Sequence, residues 1–245
     1  MNPEIIFEDE FFLVINKPPG MTVNRAESTQ GQITIQDWVE KEVFRHLNLK
    51  EIDPEDDFIK RSGTVHRLDK ETSGLLLIAK TPIAFEKLQE LFKERKIKKK
   101  YLALVHGVVS PKQGIIEATI ARNPFNREKF GIFLGGRESK TNYQLIDNGE
   151  YFLGNEKFSL LELSPETGRT HQIRVHLKYI NHPVVSDEKY AGRKTARKDR
   201  KWCPRLFLHA AYLSFDHPLK DKKIELTAKL PSDLELAMMK LRASL

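Results

Sequence analysis

Leu75-Leu76-Leu77-Ile78-Ala79 is unbroken apolar sequence, and no purely apolar run in the 245-residue chain exceeds its five residues. A helix that crosses a membrane needs about 20 such residues, so none is expected. A run this short, closed by Gly74 on one side and Thr81-Pro82 on the other, reads as a strand buried on both faces. Such a strand has to be covered above and below, which requires a sizeable core. The composition can supply one: 40% of residues are hydrophobic and 31% charged, an ordinary globular balance. The single cysteine, Cys203, excludes an internal disulfide and any zinc site built from several cysteines. Met1-Asn2-Pro3-Glu4 carries an acid where a secretory leader needs a basic flank, so a cytoplasmic protein is expected.

Other segments arrange themselves around that strand. Glu4–Asp9 and Phe11–Ile15 read as two short strands about an acidic turn. Thr34 with Asp37 forms a capping-box pattern ahead of Ile35, Trp38, Val39 and Val43 at helical spacing. Residues 48–62 are polar and read as a loop. Thr81-Pro82 starts a helix with Phe85, Leu88, Leu91 and Phe92 on one face. Strands follow at Tyr101–Val109, Ile115–Ala121, Ser139–Ile146, Phe158–Ser164 and Leu206–Phe215. His171–Tyr179 has mixed helical period, and Ser232-x-x-Glu235 opens a closing helix with Leu234, Met238 and Leu241 inward. Strands outnumber helices and come in runs. This predicts an α+β fold on a mixed, mainly antiparallel sheet with flanking helices.

Charge is distributed unevenly. Residues 1–59 hold 13 acids and 5 bases, residues 60–100 hold 5 acids and 12 bases, and residues 187–205 hold 3 acids and 8 bases. Two basic segments set against an acidic one suggest a charged face that attracts a polyanion. The plainer reading of each basic run is a solvated lysine-rich surface.

The segment Gly63-Thr64-Val65-His66-Arg67-Leu68-Asp69-Lys70-Glu71-Thr72-Ser73-Gly74 crowds charged, imidazole and hydroxyl groups beside the buried strand. Such a loop on a rigid sheet is where reactive groups can be presented. Asp69 lies between Arg67 and Lys70, and nearby positive charge keeps a carboxylate ionised. That suits a nucleophile or a base better than a general acid. A turn residue or helix cap is the alternative reading of Asp69. His171 and His176 are five apart, poor spacing for two ligands on one helix face, so no metal site is expected.

His66 to Lys80 resembles the signature of the RluA-type pseudouridine synthases, which isomerise uridine within ribosomal or transfer RNA. Four more blocks resemble that family in its order. They are Val14-Ile15-Asn16-Lys17-Pro18-Pro19-Gly20, Lys98 to Gly107, Glu166 to His176, and Leu208-His209-Ala210-Ala211 through His217-Pro218. Near Thr22-Val23-Asn24 the sequence departs from the family pattern.

The resemblance implies roles at matching positions. Asp69 would be the catalytic carboxylate, attacking sugar or base or abstracting a proton. Tyr101 would stack on the target uracil; read without the family, it is an aromatic anchor of its strand. Arg174 would pair with Asp69 and hold it ionised, a task that suits the planar guanidinium. Arg67 would fill the space vacated when the uridine is extracted from the RNA. His66 is read as structural. Lys96, Lys98, Lys99, Lys100 and Arg169 are candidate RNA contacts, and Arg122–Arg137 reads either as an RNA-gripping hairpin or as a packed insertion. Isomerisation consumes nothing, so no cofactor is expected. Relatives often carry a small RNA-binding domain ahead of the catalytic one. Here the resemblance starts so early that residues 1–245 are expected to be a stand-alone catalytic domain and a monomer, with structured RNA, ribosomal or transfer, as partner. Two other classes compete: a structured-RNA-binding module without turnover, and a carboxylate hydrolase, which would usually want a second acid near Asp69.

Overall fold

The computed structural model describes residues 2–47, 49 and 52–243. It consists of two compact units, one of Met1–Lys98 with Tyr212–Ala228 and one of Lys99–Ala211 with Lys229–Leu245.

The first unit begins with strands β1 (Glu4–Glu8) and β2 (Phe12–Lys17). The turn between them forms because the Asp9 carboxylate accepts from the backbone N–H of Phe11 and Phe12, at 2.8 and 3.0 Å. Helix α1 (Ile35–Glu42) starts at the expected capping box: Thr34 Oγ1 accepts from Asp37 N–H, and the Asp37 carboxylate accepts from Thr34 N–H. A four-residue helix, α2 (Asp57–Lys60), interrupts the segment that reads as loop, with the Asp56 carboxylate accepting from Phe58 N–H at its start. It forms because Phe58 is an apolar anchor, fully buried between the rings of Phe44 and Phe85. Of the rest of that expected loop, Asn48, Lys50 and Glu51 lie outside the described residues. Strand β3 (Ser73–Ala79) is buried throughout and pairs antiparallel with β2, from Phe12↔Ala79 to Lys17↔Gly74. Helix α3 (Pro82–Lys93) follows, capped by Thr81 with Pro82 in its first turn, and buries Ala84, Phe85 and Leu88.

The second unit is built on antiparallel pairings. Strand β4 (Lys98–His106) starts three residues earlier than its apolar pattern suggests. Strands β5 (Gln113–Arg122) and β6 (Phe130–Ile132) form a hairpin, followed by the long β7 (Arg137–Leu153) and by β8 (Glu156–Pro165). β4 pairs with β8, β8 with β7, β7 with β5 and β5 with β6. The register of β7 on β8 shifts between Leu145 and Glu150, a bulge that lets so long a strand bend. Helix α4 (Gln172–Tyr179) lays Ile173 and Leu177 into a core with Ala103, Val105, Leu161, Leu163 and Phe207. The basic segment 193–201 forms helix α5 (Arg193–Asp199) and the turn that follows it.

Strand β9 (Leu208–Asp216) carries the chain from the second unit back to the first, where its end pairs with β10 (Lys223–Thr227). The chain then returns to the second unit as α6 (Ser232–Met239) and β11 (Arg242–Ala243), which pairs with β7. Leu234 and Leu241 point inward as expected, with Met238 packed beside that core. The expected Ser232 cap is corrected, however: Pro231 occupies the cap position and Ser232 is the first helical residue. The fold is therefore α+β on a mixed, mainly antiparallel sheet.

Candidate active site

In the first unit the polar loop is clamped at both ends onto β3. Gly63 adopts φ +69°, and a Cβ there would sit 2.1 Å from the Ala79 carbonyl oxygen, so only glycine fits. The Gly63 carbonyl accepts from Ala79 N–H at 2.8 Å, and Gly74, at φ +113°, closes the other end. Between these points His66 Nε2 accepts from Leu77 N–H at 2.9 Å while its ring lies 4.7 Å from that of Phe92. This is the structural role read from the sequence. Leu68 is buried beneath, Asp69 is half-buried and Arg67 is exposed. The residue after Asp69 is fixed from the N-terminal block: the Lys70 carbonyl accepts from Gly20 N–H at 2.8 Å and from Lys17 Nζ at 3.2 Å. Lys17 is fully buried and also donates to the carbonyls of Pro18 and Met21, at 2.9 and 2.8 Å. A carboxylate is thus presented on a loop whose backbone is held on three sides. Sequence reasoning did not single out Lys17; the signal was a lysine on a strand otherwise fated for the core.

In the second unit, Arg174 on α4 is only 4% exposed. Its Nε and Nη2 donate to the two oxygens of Asp187, at 2.8 and 2.9 Å, in the forked geometry of a strong carboxylate pair. Asp187 Oδ1 also accepts from the backbone of Lys189 and Tyr190. The Tyr190 ring lies 5.1 Å from the Arg174 guanidinium, and its hydroxyl shares a 2.8 Å hydrogen bond with His171 Nδ1 and accepts from Phe130 N–H. His171 takes the left-handed conformation, φ 56°, at the head of α4. Asp187 and Tyr190 escaped the sequence reading because nothing in a 13-residue separation marks a partner.

The remaining candidates sit as follows. Tyr101 is half-buried on β4 opposite Leu163 and packs on the second unit's core. Its neighbour Lys100 pairs with Glu162 at 2.9 Å. Lys99 is half-buried, and burial pushes its ammonium pKa down from the ordinary lysine range. Lys96 and Lys98 are exposed, Lys96 beside Glu94 at 2.7 Å. Arg169 Nε donates to the Glu138 carbonyl at 3.1 Å. The block Glu166–His176 also braces the sheet: Gln172 accepts from Thr167 and from Arg169 N–H, and donates to Lys140 O and Thr141 Oγ1. Residues 122–137 include the turn and return strand of the β5–β6 hairpin, in which Phe130 lies beneath Arg122 and edge-on to His171, while Phe125 at the tip is 95% exposed. Among the described residues no group of three or more His, Cys, Asp or Glu side chains gathers to hold a metal.

The RNA pseudouridylate synthase family model matches residues 11–179, well over half of the chain. The chain belongs to the RNA pseudouridylate synthase family. It is 37% identical over 99% of its length to an uncharacterized RNA pseudouridine synthase, YlyB, of Bacillus subtilis, and covers 74% of that protein. It is 38% identical to ribosomal large subunit pseudouridine synthase D of Zymomonas mobilis, over 98% of this chain and 73% of that one. Among solved structures it resembles human RNA pseudouridylate synthase domain containing 4, with a TM-score of 0.72 at 26% identity, covering 98% of this chain and 94% of the other. Membership makes the activity that of an RNA pseudouridine synthase, an isomerase.

Proposed function

We propose that the protein isomerises one or more uridines of structured ribosomal RNA to pseudouridine, with transfer RNA as the alternative substrate, and that Asp69 is the catalytic carboxylate. The observation that carries this reading is the clamped loop around Asp69. Its backbone is fixed through Gly63, His66 and Lys70 while the side chain stays half-buried, which suits a group that must meet a reacting atom in one geometry. Relatives named as large-subunit synthases support ribosomal RNA.

In the reaction the bond from uracil N1 to the sugar C1′ breaks and one from C5 to C1′ forms. The C5 proton leaves and N1 gains one, so nothing is consumed. Asp69 acts as nucleophile or base, and Arg67, exposed two residues away, fills the place of the extracted uridine, whose unstacking costs a few kcal/mol. Tyr101 supports the uracil by stacking. Arg174 serves to keep the catalytic carboxylate ionised, itself held by Asp187. Lys96, Lys98, Lys99, Lys100 and Arg169 contribute to RNA affinity. Residues 1–245 work as one catalytic domain, a monomer acting in the cytoplasm.

Unmodified transcripts of ribosomal and of transfer RNA, incubated separately with the protein and digested to nucleosides, test this. Pseudouridine in the ribosomal pool, with no free uracil, is the expected result. Free uracil would mean a hydrolase, and unchanged nucleosides from both pools with RNA still bound would leave a binding module.

A further inference from the structure

We propose that α5 and the turn after it form a second RNA-docking face, which grips phosphates through Lys194, Arg197 and Lys201. The proposal rests on the isomerase reading for its partner, RNA, and on the geometry of this helix for its place.

The segment Arg193–Lys201 has six bases and one acid. That acid, Asp199, does not face solvent. It is fully buried, and its Oδ2 accepts from Ser186 N–H at 2.8 Å and lies 3.0 Å from His106 Nε2. Ser186 Oγ in turn donates to the Cys203 carbonyl at 2.7 Å, and the Trp202 ring meets that of Phe158 edge-on. Ala196, Asp199 and Cys203, spaced three and four apart, are thus the inner face. Lys194, Arg197 and Lys201 have the same spacing and fall on the opposite, exposed face. The only carboxylate of the segment anchors it from within, leaving a surface of cations alone.

Those cations are of two kinds. Arg193 and Arg200 flank the row and reach Glu188, at 3.7 and 3.3 Å, and Lys198 pairs with Glu156. The central three make no ion pair among the described residues. Three unneutralised cations, Lys194 and Arg197 on the helix and Lys201 on the turn after it, on a segment fastened to the core, are preorganised for a repeating anion. The aromatic of the segment, Trp202, is turned inward and buried, so the face offers no stacking platform. It reads phosphate and not base, and contributes affinity without sequence preference.

The test is salt-dependent filter binding of an in vitro ribosomal RNA transcript to the full-length protein, between about 50 and 200 mM salt. The variant is Lys194→Gln/Arg197→Gln/Lys201→Gln, compared with the charge-matched Lys112→Gln/Lys222→Gln/Lys229→Gln. Loss of three phosphate contacts should flatten the log–log salt slope by about 2 to 3 and lower low-salt affinity at least ~10-fold, while the matched variant changes the slope by less than about 1. Equal changes in the two variants would mean that only net charge matters and would overturn the proposal. An unchanged slope in the α5 variant would overturn it too, and would turn attention to an acidic protein as the partner of this face. Pseudouridine formation by wild type is scored on the same RNA: binding without turnover would sink the isomerase reading while leaving the slope comparison to judge α5.

Discussion

Asp187 is fully buried and both of its oxygens are engaged by the Arg174 guanidinium. Removing one partner of such a pair strands the other charge in a dry interior. Asp187→Ala should therefore lower unfolding free energy by about 3–5 kcal/mol in urea titrations; a change below about 1 kcal/mol would mean that Arg174 is held by other groups. Lys17 makes a different prediction. It fixes the Lys70 carbonyl from a caged ammonium, so Lys17→Met should loosen the loop that carries Asp69. Small misplacements of a reacting group cost up to about 10²-fold in rate. Turnover is expected to fall by about tenfold or more while RNA affinity holds within about twofold, and a parallel loss of both would show a general folding defect. His176 is buried between Ser139 and Thr141, and burial lowers its pKa from 6.5 to about 4. The folded state resists a proton that the unfolded state accepts. Stability from this group is thus complete above pH 6.5, falls as pH drops below it, and is fully lost near pH 4, a total on the order of 3 kcal/mol. His176→Gln should flatten the stability profile between those limits, and an identical acid slope in wild type and variant would contradict this assignment.

At the scale of elements, the loop 63–74 depends on its clamp to β3. Gly63→Ala combines a left-handed backbone with a Cβ driven against the Ala79 carbonyl and should destabilise by about 1–3 kcal/mol or more. Thermal melts of the variant check this, and an unshifted midpoint would show that the clamp can relax. Elements whose signals are local could be read from the chain. Thr34 with Asp37 and Thr81 with Pro82 announce α1 and α3 because a cap acts within four residues. α5 could not, since its inner face is made of one alanine and one aspartate whose burial depends on Ser186, 13 residues before it, and on His106, 93 residues before it. Ser232 misleads for the opposite reason. It matches the cap pattern, but the preceding Pro231 takes the boundary and makes Ser232 the first helical residue.

For the molecule as a whole, the proposed functional residues that could be read are those written in contiguous blocks. Asp69, Tyr101 and Arg174 each lie in a block that resembles the family, and family membership over residues 11–179 is established. Of the supports of those residues, Lys17 under the Asp69 loop lies in another such block and Asp187 on Arg174 lies outside all of them, and no spacing rule leads from either to its partner. The proposed mechanism stands on Asp69 performing the isomerisation. Tritium release from C5-labelled uridine in unmodified ribosomal RNA, measured for wild type and Asp69→Asn with RNA affinity measured in parallel, tests it most directly. Release is expected from wild type and none from Asp69→Asn, with affinities within about twofold, because exchanging a carboxylate oxygen for an amide nitrogen removes no phosphate contact. Release that persists in Asp69→Asn would contradict it.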